Sequence, residues 1–367
     1  MPDPRISKLA QVLIQYSLDL QPEEKLRLQT SPLADELNLA VYKQAILAGA
    51  HVTVQNIIPG TNEIFYRYAN DSQLEHISPI TDLMVDTWDA DLYIEAEHNT
   101  RELSGVDPSR MALSRKAKAP LMKRYFERTA KGELKWSLTV YPTHSMAQEA
   151  DMSLSDYQEF VFGACHLHED DPVSVWKNIG LQQEKYIRWL DGKETVTIKG
   201  ENVDLQLSIK GRKFINCNGK LNFPDGEIFT GPVEDSVNGY IRFSYPGIFS
   251  GQEVDDIELW FEDGKVVKEK AGKGQDLLTK MLNTDDGSRY LGELGIGTNY
   301  GIQRFTKNML FDEKIGGTIH LAVGAGFPES GSKNDSGIHW DMLCDMKDSE
   351  VRVDGEVLYK NGKFVIE

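Results

Sequence analysis

The sequence predicts an α/β domain with a parallel-type sheet, followed by a mainly β (α+β) domain that carries a metal site. Three observations lead there. In the first half, extended and helical patterns alternate, as βα units do. Near Asp191-Gly192 the pattern changes to short alternating segments separated by Asp-Gly and Asn-Gly turns, which is hairpin chemistry. Near the C-terminal end, His339-Trp-Asp341 places an imidazole and a carboxylate two residues apart. Positions i and i+2 of a strand point to the same face, so this triplet is half of a metal site. The expected division is 1–192 for the α/β domain and 193–367 for the β-rich domain.

Within the first domain, Ile6, Leu9, Val12, Leu13 and Tyr16 fall at helical spacing, while KLRLQT (25–30) alternates as a strand. Residues 35–48 read as a helix, HVTVQNI (51–57) and DLYIE (91–95) as strands. The charged stretch 101–131 is helix-prone, and KWSLTVY (135–141) is a strand stopped by Pro142. Ser153 caps a helix with Tyr157, Phe160, Val161 and Ala164 on one stripe. A further helix covers 172–190, with Trp176 and Trp189 as core anchors. In the second domain TVTIKG, VDLQLSIKG, GYIRFSYP, IELWFEDGKVVKEKAG and GEVLYKNGKFVIE supply strands, and one helix at 275–282 interrupts them.

Composition narrows the function. The formal net charge is −17, from 57 acidic against 40 basic residues. Such a chain repels phosphate backbones and anionic membranes, and no basic stripe offsets this. Nucleic-acid and membrane partners are therefore not expected. The three cysteines form no CxxC pair, the N-terminus does not read as a signal peptide, and no apolar run approaches ~20 residues. A cytoplasmic protein is expected.

Glu227, Glu293, His320, His339 and Asp341 are the candidate ligands. Two histidines and three carboxylates suit two adjacent divalent ions with one carboxylate bridging, and Zn, Co, Mn and Mg all accept such mixed shells. Primary sequence alone does not bring Glu227 to the others. Competing clusters are weaker. His166-Leu-His168-Glu-Asp170-Asp171 reads as a helix end, with histidines complementing the dipole, and His98, just past a strand, either faces the crevice or, the favoured reading, lies on the surface. The glycines of 292–301 contain no good dinucleotide fingerprint, no GxSxG elbow is present, and Ser332 and Ser336 read as turn residues.

GEIFTGP (226–232), GELGIGTN (292–299), DEKIGGTIHLAVG (312–324) and NDSGIHWD (334–341), in this order, resemble the metal-dependent aminopeptidase family that includes aminopeptidase T, aminopeptidase S and the PepS peptidases. Asn99-Thr-Arg-Glu102, Tyr141-Pro-Thr143, DYQEFVF (156–162), DDPV (170–173) and Trp176 extend the resemblance over nearly the whole chain. It implies that Glu227, Glu293, His320, His339 and Asp341 hold two divalent ions. It also implies a homodimer that trims short peptides with a free N-terminus. Glu227 or Glu293 is the expected general base, and Glu293 or Asp341 the expected bridge. Asp312 and Glu313 either orient a histidine or form a surface turn with Lys314. In one place the chain departs from the family: Phe327 stands where the family's structurally studied members carry a tyrosine thought to assist catalysis. A phenyl ring keeps the packing but donates no hydrogen bond. Weak or lost peptidase activity, or hydrolysis of a non-peptide amide, are the alternatives.

Overall fold

A computed structural model of the chain describes residues 3–249 and 251–366. The chain divides into two compact units, residues 1–173 with 219–223 and residues 174–218 with 224–367.

The first unit is the expected α/β structure. Its sheet runs in the order His51–Asn56, Lys25–Thr30, Ala90–Glu95, Lys135–Val140, Asn222–Phe223, with every pair parallel. Leu26, Leu28, Leu92 and Ile94 of its central strands are buried. That matches strands covered on both faces by crossover helices. Local chemistry sets the helix ends. Asp3, Ser78, Asp107, Thr143 and Ser153 each accept a backbone N–H in the first turn. The Ser153 cap stands as the sequence predicts, at 3.1 Å from Asp156 N. The charged stretch expected to be helical from 101 is helical only over Pro108–Ala130, because the Asp107 cap and Pro108 start the helix there.

The expected boundary at residue 192 differs from this division, which falls before Ser174. The Pro172–Leu190 helix explains why. Leu190 belongs to the second unit's core, and Tyr186, Ile187 and Trp189 pack against it. The helix closes the second unit, although by sequence it ends the alternating βα pattern. Likewise 219–223 returns to the parallel sheet as its last strand, a two-residue pairing too short to read from periodicity.

The second unit has two large antiparallel sheets around one core, and a separate two-stranded pairing of Gly247–Phe249 with Gln252–Val254. The larger has eight strands; the smaller runs His339–Asp345, Thr318–Gly324, Leu291–Gly297, Glu227–Thr230, Ile215–Cys217. Both contribute to one apolar cluster, with Val196, Ile198, Leu205 and Val351 from the larger sheet and Leu294, Ile296, Leu321 and Met342 from the smaller. The predicted Asp263-Gly264, Asp354-Gly355 and Asn361-Gly362 turns have φ of 47° and 82°, 50° and 85°, and 50° and 75°. Two successive positive φ values are what a tight two-residue hairpin needs, and this is why Gly takes the second place.

Candidate metal centre

The smaller sheet of the second unit places all five predicted ligands on one face. Glu227 lies opposite Gly297, and Gly295 lies opposite both Phe229 and His320. Glu293 is opposite Ala322, Ala322 opposite Asp341, and Gly324 opposite His339. The intervening residues Ile228, Leu294, Ile296, Ile319, Leu321, Val323, Trp340 and Met342 all enter the core. A period of two therefore sorts each strand into a core face and a ligand face. Small residues between the ligands leave them room. A Cβ at position 295 would fall inside the His320 imidazole, so only glycine lets that ring lie across the neighbouring strand.

Once on one face, the side chains meet. His320 Nε2 is 2.9 Å from Glu293 Oε1 and 3.3 Å from Glu227 Oε2. His339 Nε2 is 3.4 Å from Asp341 Oδ2 and 3.7 Å from Glu293 Oε2. Two three-residue groups result, Glu227–Glu293–His320 and Glu293–His339–Asp341, each with ligand atoms within 4.8 Å of one another. Glu293 belongs to both and directs one oxygen to each imidazole. His339 is oriented from behind, its Nδ1 at 2.7 Å from the Ala325 carbonyl. That contact makes Nδ1 the protonated nitrogen and leaves Nε2 for a metal.

The electrostatics fit cations. Glu227, Glu293, His320 and Asp341 are buried. Burial pushes Glu227 up to about 8, against the pull of Lys314 and His320. Burial also raises Glu293, against its hydrogen bond with His320. Burial opposes charge on both histidines, yet the carboxylates outweigh it. Glu293 and Glu227 lift His320 to about 10, and Asp341 and Glu293 lift His339 to about 10. His339 in turn holds Asp341 below the ordinary carboxylate range despite its burial. Three clustered carboxylates thus draw positive charge inward. Glu227 Oε2 and Asp341 Oδ1 are buried without a hydrogen-bond donor. Buried acceptors of this kind are costly unless something coordinates them. Imidazole nitrogens beside carboxylate oxygens form a donor set suited to divalent ions.

Two supporting residues escaped the sequence reading. Lys314, which one of the two readings put in a surface turn, is fully buried, with its Nζ 3.5 Å from Glu227 Oε1 and 3.9 Å from Asp225 Oδ1 and also paired with Glu313. Its ammonium stays charged among these acids although burial opposes it. It also sits beside a third group, Cys217–Asp225–Glu227, and supplies positive charge to its two carboxylates. Neither Asp312 nor Glu313 is bonded to a histidine among the contacts described. Asp312 is buried and accepts from Thr306 N and Oγ1 at 2.7 and 2.9 Å, while Glu313 engages Lys314. Gln183, buried on the 172–190 helix, donates to the carbonyls of Cys217 (3.0 Å) and Glu227 and so fixes the strand that bears Glu227. An isolated polar residue on a helix carries no periodic signal of such a role.

The rejected clusters fare as follows. His168 approaches Glu159 at 3.7 Å, and no metal-ligating group forms around His166 and His168 among the described residues. His98 lines a cavity at the carboxyl ends of the parallel strands, 3.9 Å from Glu102. Ser336 donates to Asp285 at 2.8 Å, and Ser332 is buried. The 324–338 loop is thereby tied down.

Comparison with known proteins assigns the family. The family model described as thermophilic metalloprotease (M29) matches residues 2–364, and the chain belongs to that family. Aminopeptidase 2 of Geobacillus stearothermophilus is 26% identical, covering 99% of this chain and 98% of its own. Aminopeptidase T of Thermus thermophilus is 26% identical over 71% of each chain. The solved structure of wild-type AmpT from Thermus thermophilus superposes with a TM-score of 0.86 at 22% identity, covering 99% of both chains, and so shares the fold. The chain is thus a hydrolase of a metalloprotease family, with an α/β unit and a mainly β unit.

Proposed function

We propose that the chain is an aminopeptidase that removes N-terminal residues from short peptides. Glu227, Glu293, His320, His339 and Asp341 hold two divalent ions of the Zn, Co, Mn or Mg class. The observation that carries this reading is the double membership of Glu293: the five residues form two groups of three that share one carboxylate. Such sharing favours Glu293 over Asp341 as the bridge. The names of the relatives, aminopeptidase 2 and aminopeptidase T, support the same activity.

A divalent pair in this position supplies Lewis acidity, which brings the pKa of water from ~15.7 toward ~7 and polarises a carbonyl. The protein's own groups do the rest. His320 and His339 present Nε2 inward, the latter fixed by Ala325 O. Lys314 holds Glu227 through Oε1 and leaves Oε2 free of hydrogen-bond donors. Glu227, held by Lys314, would be the group that accepts a proton from the attacking water. The free α-amine of a peptide would bind the second ion or nearby carboxylates, which would select chain ends over internal bonds. A homodimer in the cytoplasm completes this reading.

The loss of the tyrosine hydroxyl favours a second reading, a metal-binding relative with little turnover. The Phe327 ring lies 5.0 Å from that of His339 and has no donor to offer. One experiment separates the two. The protein is stripped with a chelator, reloaded with Co²⁺, Zn²⁺, Mn²⁺ or Mg²⁺, and assayed with aminoacyl-arylamides. Release that disappears with chelator and returns with metal is expected. Full metal occupancy without release leaves the second reading standing.

A further inference from the structure

The position of Phe327 has a consequence beyond the missing hydroxyl. The centroid of its ring is 5.3 Å from Phe229 and 5.0 Å from His339. Phe229 projects from the ligand face two residues beyond Glu227, across Gly295 from His320. The Phe327 ring therefore connects two ends of the ligand set, the Glu227 strand and the His339 strand. This is also where the site is open. The His339 side chain is 27% exposed, against 10% or less for the other four ligands, and Phe327 itself is 38% exposed. The backbone that carries the ring is held in place, because Ser330 donates to the Phe327 carbonyl through N at 3.0 Å and Oγ at 2.7 Å. An apolar face thus stands at the mouth of an otherwise charged centre.

We infer that Phe327, backed by Phe229, is the specificity-determining wall that receives the side chain of the substrate's first residue, and that this chain prefers large apolar N-terminal residues. The inference rests on the aminopeptidase reading. With the free α-amine and the scissile carbonyl both held at the ligand cluster, the first side chain lies beside the centre, against the rings. A leucine or phenylalanine side chain there leaves water for an apolar surface. A lysine or glutamate head group placed there loses hydration without a partner.

The test compares the hydroxamates of leucine, phenylalanine, lysine and glutamate. Their binding to the Zn²⁺-loaded protein is measured by calorimetry, beside kcat/KM for the matching aminoacyl-arylamides. Apolar side chains should be favoured about tenfold or more in both. F327S should collapse that ratio with zinc content unchanged, and F327L should largely retain it. Equal binding of the four hydroxamates to the unaltered protein overturns the inference, as does an unchanged ratio in F327S. Selective hydroxamate binding without turnover of any arylamide would sink the peptidase reading and leave the wall in place.

Discussion

Each unit gathers acids and histidine, and the two clusters differ in what holds them. In the first unit, Glu97, His98 and Glu102 line a cavity after the Ala90–Glu95 strand, on connecting segments. His98 is 40% exposed and stands 3.9 Å from Glu102. In the second unit the ligands stand on the strands themselves, locked in register by antiparallel pairing, and their contacts run from 2.9 to 3.7 Å. Similar residue types are present in both. Only in the second does the backbone fix several donors against one another at depth. A carboxylate–imidazole cluster becomes a metal centre through rigidity and burial more than through composition.

The largest effect should follow from changing the residue the two groups share. Glu293→Gln keeps the volume and removes the charge common to both. Metal content is expected to fall from two ions per chain to none, and turnover by about 10³-fold or more, beyond what loss of a single electrostatic group costs. Asp341→Asn, which touches one group, should retain one ion. Elemental analysis of the two variants decides the matter, and full occupancy in E293Q would remove Glu293 from the centre.

Lys314→Met asks whether the second unit's cluster needs its internal cation. Breaking a buried ion pair by removing one partner typically costs about 3–5 kcal/mol. Here the partners left behind are Asp225, Glu227 and Glu313. Urea unfolding of the chelator-treated variant should show a loss of that order. A loss below about 1 kcal/mol, the scale of an exposed pair, would mean that Lys314 is not integral to the cluster.

The pH dependence of the chelator-treated protein is a smaller effect with a definite sign. Glu227 is raised from 4.5 to about 8, and His320 and His339 from 6.5 to about 10. The folded chain then binds more protons than the unfolded chain, so stability falls as pH rises. The histidine contribution is complete below about 6.5 and is lost through about 10. Asp341, held low by His339, acts at the acid end, where its contribution fades as pH falls through its depressed value. Urea midpoints at about pH 6, 8 and 10 should decline in stripped protein. Metal affinity should rise over the same interval, because binding displaces the protons from the imidazoles. A flat midpoint would show that the imidazoles are not charged by their neighbours.

How much of this was legible in the sequence depended on the range of each interaction. The His339–Asp341 pairing is local and follows from strand periodicity alone. The alternation in GELGIG, TIHLAVG and HWDMLCD likewise announces a core face and a second face. The convergence of Glu227 with His320 does not, because register between distant strands is written in turns and packing, and family resemblance supplied that link. The role of Lys314 was not legible for a physical reason: Asp-Glu-Lys has the composition of a surface turn, and nothing local says that its ammonium is enclosed by Asp225 and Glu227. The domain boundary was misplaced because the 172–190 helix continues the first unit's pattern while burying its apolar face in the second.

The smallest expected effect falls on the first unit and serves as the control for the whole comparison. His98→Ala removes the histidine of the exposed cluster, which stands 3.9 Å from Glu102. Substitutions at such sites stay within about 0.5 kcal/mol, a factor of roughly two. Metal content should stay unchanged and hydrolysis of an aminoacyl-arylamide should stay within that factor. Burial raises Glu97, which lines the cavity, and pushes Glu95 at the end of the adjoining strand up to about 7, so the acids around this cavity are reluctant to carry their full charge. Glu97 lies on a connecting segment beside His98, whereas Glu293 is locked on its strand between His320 and His339. If H98A lost an ion or most of its rate, the first unit would hold part of the catalytic centre, and rigidity on strands would no longer distinguish the two clusters.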